Sequence, residues 1–488
     1  MNYIIRFLFI FFSLMLSACH EKDYDIIQEA KKFIYDNDEI EVAEEQDKKS
    51  EKKNKKDRIS KTKKPKQIKE LEKNKNRAKK EEVIKEEIKT SRILESIKEK
   101  EASSINTEEK QNNKIKIERQ NYKERIKVGV MLPLSGEHKN IGNLILNAIE
   151  MAIFQTKKNK LVLLIKDTEA NPKKSKEAFI ELKDEGVDII IGPLFSKSLA
   201  AIHTLSNNND LNIFALTNNI NLGKKGIWIF GVDPQAQTKR ALEVALEMEL
   251  KKIAALLPKN AYGLLLYDTI LNFSKENSID IENIEFYENS IESQRIAAQN
   301  LSKGFDKYQE SLDLIKEKED NEEREKDIMF LKKPFDIVFI AASGQNLTVL
   351  SSQLQYNNVD PNAVQYLGIS SWEDRSILNE PALEGGIFVT TSEFYQKKIK
   401  LIYQKSFNQE MPKIAMIAYD VIALLGSIDY KENKVNINEI INDEGYLGLR
   451  GLFRLRENGI VERAFELKQV KNKNFKIYKK ANSQFSNF

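Results

Sequence analysis

Ile126-Lys127-Val128-Gly129-Val130-Met131-Leu132-Pro133-Leu134-Ser135-Gly136 is the stretch on which the fold turns. A mostly apolar run of strand length, ended by Pro133 and Gly136, has the pattern of a strand buried on both faces and closed by a turn. Directly after it Leu144, Ile145, Ala148, Ile149, Ala152 and Ile153 recur at helical spacing. The alternation then repeats. Residues 161–166 read as a strand and about 173–185 as a helix; 187–191 read as a strand closed by Gly192-Pro193, and 196–206 as a helix. Residues 213–216 form the next strand and end on Thr217-Asn218-Asn219. Short apolar strands alternating with helices predict a parallel sheet covered on both faces.

Further along, the unit starts again. A helix over about 236–250 leads into strands at 253–257, 284–287, 336–341, 364–369 and 386–390. The predicted fold class is therefore α/β, with two doubly wound parallel-sheet lobes and a hinged cleft. Lobe 1 is expected at about 126–236 and 391–440, lobe 2 at about 237–390 and 441–488. Residues 307–333 read as a charged insertion forming one solvated helix. Tyr419 and Asp420 lie on the apolar helix 414–425, where core packing and a hinge bond are expected rather than catalysis.

The first 125 residues have a different character. Residues 1–18 carry one cation, Arg6, and an apolar run too short to span a bilayer, so they read as a removable signal. The segment 20–125 holds 31 Lys/Arg and 26 Asp/Glu, too much charge to fold around a core of its own. It reads as a disordered tether, 19–125, with a marginal helix of coiled-coil character at 81–100 and a basic block at 52–80 that could touch anionic polymer or lipid. As a coil it would span about 50–60 Å.

Composition excludes whole classes of chemistry. The body from 126 onward carries 46 basic and 48 acidic residues, without the basic excess of a nucleic-acid groove. Cys19 is the only cysteine, so the body has no disulfide, no thiolate zinc site and no catalytic thiol. Histidine is limited to His20, His138 and His203, and neither body histidine has partners placed for a metal. Nucleophile-elbow, P-loop and dinucleotide-binding motifs are absent from the sequence. No enzyme, cofactor or metal is expected; a carboxylate-based wall hydrolase is the weakest alternative.

The motifs resemble known families. Leu16-Ser17-Ala18-Cys19 resembles the bacterial lipobox, which implies lipidation of Cys19. His20, where inner-membrane lipoproteins carry Asp, implies the outer membrane, periplasmic face. Val128–Gly136 resembles the opening of type I periplasmic binding proteins such as leucine/isoleucine/valine-binding receptors, and Ile190-Ile191-Gly192-Pro193-Leu194-Phe195-Ser196 resembles their third strand and turn. Phe230-Gly231-Val232-Asp233-Pro234 with Gln237 is similar to the penicillin-binding-protein activator lipoproteins, as are Leu257-Pro258-Lys259-Asn260-Ala261-Tyr262-Gly263, residues 335–342 and Ile369-Ser370-Ser371-Trp372. In well-studied activators a helical-repeat domain stands where this chain has its tether.

Ligands in two-lobed α/β folds sit at the C-terminal strand edges. That places Ser135, Ser196 and Thr217 on one lip and Tyr262, Ser343 and Trp372 on the other, with Glu373 or Asp374 as acids for an ammonium group. Strand-end Ser and Thr equally cap the next helix, Trp372 reads either as a stacking platform or as a lobe-interface anchor, and Gly136, Gly192 and Gly263 read as turn residues. Two functions follow from the resemblance. One is a lipid-anchored, non-enzymatic regulator of peptidoglycan synthesis, with a penicillin-binding protein and peptidoglycan as partners. The alternative is the solute-binding lipoprotein of an ABC-type transporter for branched-chain or other amino acids. Both require the anchor: Cys19→Ala is expected to end palmitate labelling and move the chain from the membrane to the soluble fraction, and a variant still sedimenting with membranes would refute the lipidation.

Overall fold

Strand β1 (Ile126–Leu132) buries both faces, because its residues alternate between two apolar layers: Val128, Val130 and Leu132 on one side, Met131 on the other. β3 (Ile189–Ile191) does the same, splitting Ile189 and Ile191 from Ile190. The computed structural model describes residues 126–155, 161–206, 211–393, 396–428, 430–431, 434–435 and 437–485. The signal 1–18, Cys19, the tether 19–125 and its basic block lie outside the described residues.

Lobe 1 holds β1, β2 (Leu161–Asp167), β3, β4 (Asn212–Ala215) and β5 (Ile227–Ile229), all parallel in the order β2-β1-β3-β4-β5. The helices that return the chain are α1 (Lys139–Gln155), α2 (Pro172–Asp184) and α3 (Ser196–His203). After α4 (Pro234–Glu247) come β6 (Lys252–Pro258), α5 (Ala261–Asn277), β7 (Asp280–Tyr287), α6 (Ile291–Leu301), α7 (Phe305–Lys316), α8 (Asn321–Phe330), β8 (Ile337–Ile340), α9 (Gly344–Tyr356), β9 (Gln365–Gly368) and β10 (Ile387–Thr391). α10 (Gln396–Phe407) and α11 (Lys413–Ser427) then return to lobe 1, where the Tyr403 hydroxyl donates to Leu144 O at 2.9 Å and Ile414, Ile417, Val421 and Leu425 join the core. The short β11 (Tyr430–Lys431), β12 (Lys434–Val435) and α12 (Ile437–Ile440) precede a small antiparallel sheet of β13 (Tyr446–Gly448), β14 (Gly451–Leu455) and β15 (Val461–Arg463). β16 (Phe465–Val470) and β17 (Phe475–Lys479) close the second sheet, ordered β17-β16-β10-β9-β8-β6-β7.

The fold class is as the sequence predicts, with three differences. The second sheet is mixed, since β16 runs antiparallel to β10 and β17 antiparallel to β16. The expected lobe boundary at 440 is displaced: Leu449, Phe453, Leu455 and Val461 pack in the lobe 1 core, and the Trp228 indole donates to Arg456 O at 3.0 Å. Three short strands bury too little to make a core of their own, so they dock on lobe 1, and only β16 and β17 belong to lobe 2. The insertion is two helices rather than one, because Asp320 accepts the N–H groups of Glu322 and Glu323 and starts α8 afresh.

Trp372 anchors lobe 2. Its side chain is fully buried, its indole N–H donates to Ile340 O at 2.9 Å, and Phe388 lies 6.4 Å away. A Cβ on Gly368 would stand 2.2 Å from the indole Cε2, so only glycine lets the ring lie on β9. Trp372→Ala is expected to cost about 3–5 kcal/mol and lower the urea midpoint, while Trp372→Phe keeps most packing but orphans the Ile340 carbonyl; a wild-type midpoint in both would contradict this role.

Candidate functional site

Parallel strands put their C-terminal ends on one edge, and in lobe 1 the adjacent strands β1, β3 and β4 deliver Ser135, Ser196 and Thr217 there. Asp167, at the end of β2, organises this lip. Its carboxylate accepts the N–H groups of Leu134 at 2.8 Å and Glu169 at 2.9 Å, together with the N–H and hydroxyl of Ser135. Burial pushes this carboxyl up, and the hydrogen bonds from Ser135, Glu169 and Leu134 outweigh it and hold it below the usual range. Thr217 Oγ1 accepts the Asn219 N–H at 3.3 Å, and its carbonyl accepts the Gly231 N–H at 3.0 Å. Ser196 is buried at the start of α3, and the His138 ring packs on Phe195 with centroids 5.0 Å apart.

In lobe 2 the adjacent β6 and β8 lead to Tyr262, in the first turn of α5, and Ser343, just before α9. Tyr262 is half-buried against the core, and Ser343 precedes α9 without a capping bond. Asn260 instead caps α5, accepting the Gly263 N–H at 2.9 Å. Trp372, expected on this lip, is withdrawn into the core described above and offers no stacking face. The reason is local: Ser370–Trp372 is a 3-10 turn that folds the indole under β9. Its neighbour Asp374 accepts the Ser376 N–H at 3.0 Å.

Glu373 has a different task from the one its position in sequence suggests. Its carboxylate accepts from Lys413 Nζ at 2.5 Å, from Lys468 Nζ, and from the Thr390 hydroxyl at 2.8 Å. Glu373, Lys468 and Thr390 belong to lobe 2, whereas Lys413 opens α11, which packs in lobe 1. The contact is an ion-paired bridge between the lobes, with side-chain exposures of 7% for Glu373, 12% for Lys468 and 29% for Lys413. Burial alone would push the Glu373 carboxyl up; the charges of Lys413, Lys468 and Arg450 overcome it and hold it well below the usual carboxylate range.

The chain crosses between lobes at residues 230–233, after Thr391, and at Ala464. Buried side chains tie these crossings together. Arg463 Nη2 donates to Phe230 O at 2.9 Å, and the Ala464 N–H donates to Leu452 O at 3.0 Å. Gln396 Nε2 donates to Leu449 O at 2.5 Å. Asp420 accepts the N–H groups of Leu449 at 2.7 Å and Arg450 at 3.2 Å, and a Cβ on Gly448 would collide with it at 2.5 Å. Burial pushes the Asp420 carboxyl up to about 6, against these bonds and the nearby Arg463 charge. The same burial pushes Arg463 down to about 10. Among the described residues the Nε and Nη1 atoms of Arg450 and Arg463 are buried without an acceptor, which makes them costly groups of the junction.

Sequence reasoning expected a hinge bond at Asp420, whose partners Leu449 and Arg450 lie in the segment docked on lobe 1, and it missed the lobe bridge, because Glu373 meets partners 40 and 95 residues away. No local pattern signals such a pairing. The bridge links the two lobes through Glu373 and Lys413, and among the described residues no group of His, Cys, Asp and Glu could hold a metal.

A profile described as periplasmic binding protein matches residues 125–426. An uncharacterized protein of Rickettsia prowazekii (strain Madrid E) is 22% identical over 362 residues, 73% of this chain and 90% of that protein. A penicillin-binding protein activator LpoA of Glaesserella parasuis is 26% identical over 137 residues, 28% of this chain and 23% of that protein. The solved LpoA C-domain of Haemophilus influenzae, a regulator of PBP1A, superposes with a TM-score of 0.51 at 18% identity, covering 72% of this chain and 98% of that one. A branched chain amino acid ABC transporter ligand-binding protein from Burkholderia xenovorans gives 0.55 at 14% identity, covering 73% and 94%. At these identities the structural likenesses show the fold alone.

Glu373→Gln removes the countercharge of two lysines and is expected to destabilise the body by about 3 kcal/mol at neutral pH. A carboxyl depressed in the folded state contributes stability above its unfolded value of 4.5 and loses it as pH falls below that. The gap between wild type and variant in urea titrations should therefore close below pH 4.5; a gap that does not change with pH would assign the loss to packing instead.

Proposed function

The chain belongs to the periplasmic binding protein family, and from that premise we propose that it is a lipid-anchored, non-enzymatic regulator of peptidoglycan synthesis that acts by binding a penicillin-binding protein. The observation that carries this reading is the state of the acids on the second lip. An amino-acid receptor needs a carboxylate available to the ligand's ammonium group. Glu373 is engaged by Lys413, Lys468 and Thr390, and Asp374 caps the Ser376 N–H. The Ser135 hydroxyl is likewise engaged by Asp167 at the end of β2, and that of Thr217 by the Asn219 N–H.

The relationship to the Glaesserella activator adds support at the level of sequence, although it spans 23% of that protein. In this reading the lipid on Cys19 holds the chain at the periplasmic face of the outer membrane. The tether, with 57 charged residues between 20 and 125, lets the body reach a partner embedded in the inner membrane. The two lobes form a rigid platform rather than a trap, since opening them would separate a buried Glu373 from Lys413.

Lipidated full-length protein is expected to capture a class A penicillin-binding protein from detergent extracts. Its melting temperature should stay flat across the twenty amino acids, whereas a ligand at 100 times its dissociation constant would add about 2.7 kcal/mol. A clear shift with one amino acid and no captured synthase would replace this reading with the transport receptor.

A further inference from the structure

The most unusual surface of the body is the hairpin of α7 and α8, which no step above uses. α7 is rooted by Phe305, buried against Phe335 with centroids 4.8 Å apart and edge-on to Tyr308 at 5.9 Å. Beyond that root the packing thins, and α8 buries none of its ten residues. Its last three are Ile328, Met329 and Phe330, exposed to 40%, 83% and 68%, and Leu314 on α7 is exposed to 68%. Successive residues on a helix lie about 100° apart, so three exposed neighbours sweep about 200° and the final turn of α8 stands clear of the body. Large apolar side chains kept in water in this way mark an interaction surface, and the flexible side chain of Met329 can adapt to a partner's shape.

Charge decides what the partner is. Residues 305–330 carry ten acids and five bases. With 46 bases against 48 acids in the whole body, the hairpin holds more than its entire acid excess. Some of this charge is internally engaged: Lys318 Nζ donates to Glu323 at 2.9 Å and to Asp327 at 2.5 Å. Glu319, Glu322 and Glu325 remain exposed. A second copy docking face to face would oppose like charges across a two-fold axis, and an anionic leaflet would be repelled.

We propose that the α7–α8 hairpin is the docking surface for a protein segment bearing Lys and Arg around an apolar anchor. The inference rests on the regulator reading only for the identity of the partner, which would be the captured synthase.

The test uses the full chain and two sets of substitutions, Leu314→Ser with Met329→Ser and Phe330→Ser, and separately Glu319→Lys with Glu322→Lys and Glu325→Lys. All lie on exposed positions, and unchanged melting curves establish that the variants are folded. The probe is a synthetic helical peptide with Leu along one face and Lys on the other, with a Glu-for-Lys counterpart as control. The Lys peptide is expected to bind wild type, to weaken with salt, and to bind either variant at least tenfold more weakly; the Glu peptide should not bind. No binding of the Lys peptide, or equal binding to the variants, overturns the docking surface. So does hairpin-dependent binding to anionic vesicles, or a wild-type dimer that the variants split. Synthase capture by wild type and variants alike removes the surface but keeps the regulator. Hairpin-dependent peptide binding without any captured synthase does the reverse.

Discussion

A single buried carboxylate, that of Glu373, connects the two halves of this protein. Two lysine ammonium groups and a hydroxyl converge on it, and one of those lysines belongs to the other lobe. A charge this deep is tolerable only while paired, so the pairing and the relative position of the lobes depend on each other. The buried polar side chains at the three crossings act in the same direction. Arg463 holds the first crossing through Phe230, Gln396 ties the second to Leu449, and Asp420 fixes the Leu449-Arg450 backbone.

The scaffold is that of the periplasmic binding protein family. The parallel sheets still deliver their strand ends to a common edge, as in any doubly wound fold. Two of the polar side chains delivered there are engaged nearby, Ser135 by Asp167 at the end of β2 and Thr217 by Asn219. The body also carries an acidic helical hairpin whose terminal turn exposes Ile328, Met329 and Phe330. Family membership accounts for the scaffold and does not by itself fix the function.

How far the sequence could be read depended on the range of each signal. The strand at Ile126–Leu132, the helix with Leu144, Ile145, Ala148 and Ile149, and the repetition of the unit after Gly231 were legible, because burial on two faces leaves a mark within a few residues. The strands β13 to β15 were not, since short antiparallel strands with mixed burial have no distinctive periodicity and dock on a surface built some 200 residues earlier. Trp372 was read as having two equal possibilities, and its environment of Gly368, Ile340 and Phe388, assembled from three separate strands, decided between them.

The amino-acid sequence alone determined the α/β class, the two-lobe repetition and the single cysteine at the end of a signal-like run. These follow from composition and from periodicities of two and 3.6, which are local properties of the chain. Tertiary structure alone decided that Glu373 bridges the lobes, that residues 441–463 side with lobe 1, and that the insertion bends at Asp320 into a hairpin with an exposed end. Those outcomes depend on which distant groups meet in a low-dielectric interior. There the cost of an unpaired charge, rather than any pattern along the chain, selects the partner.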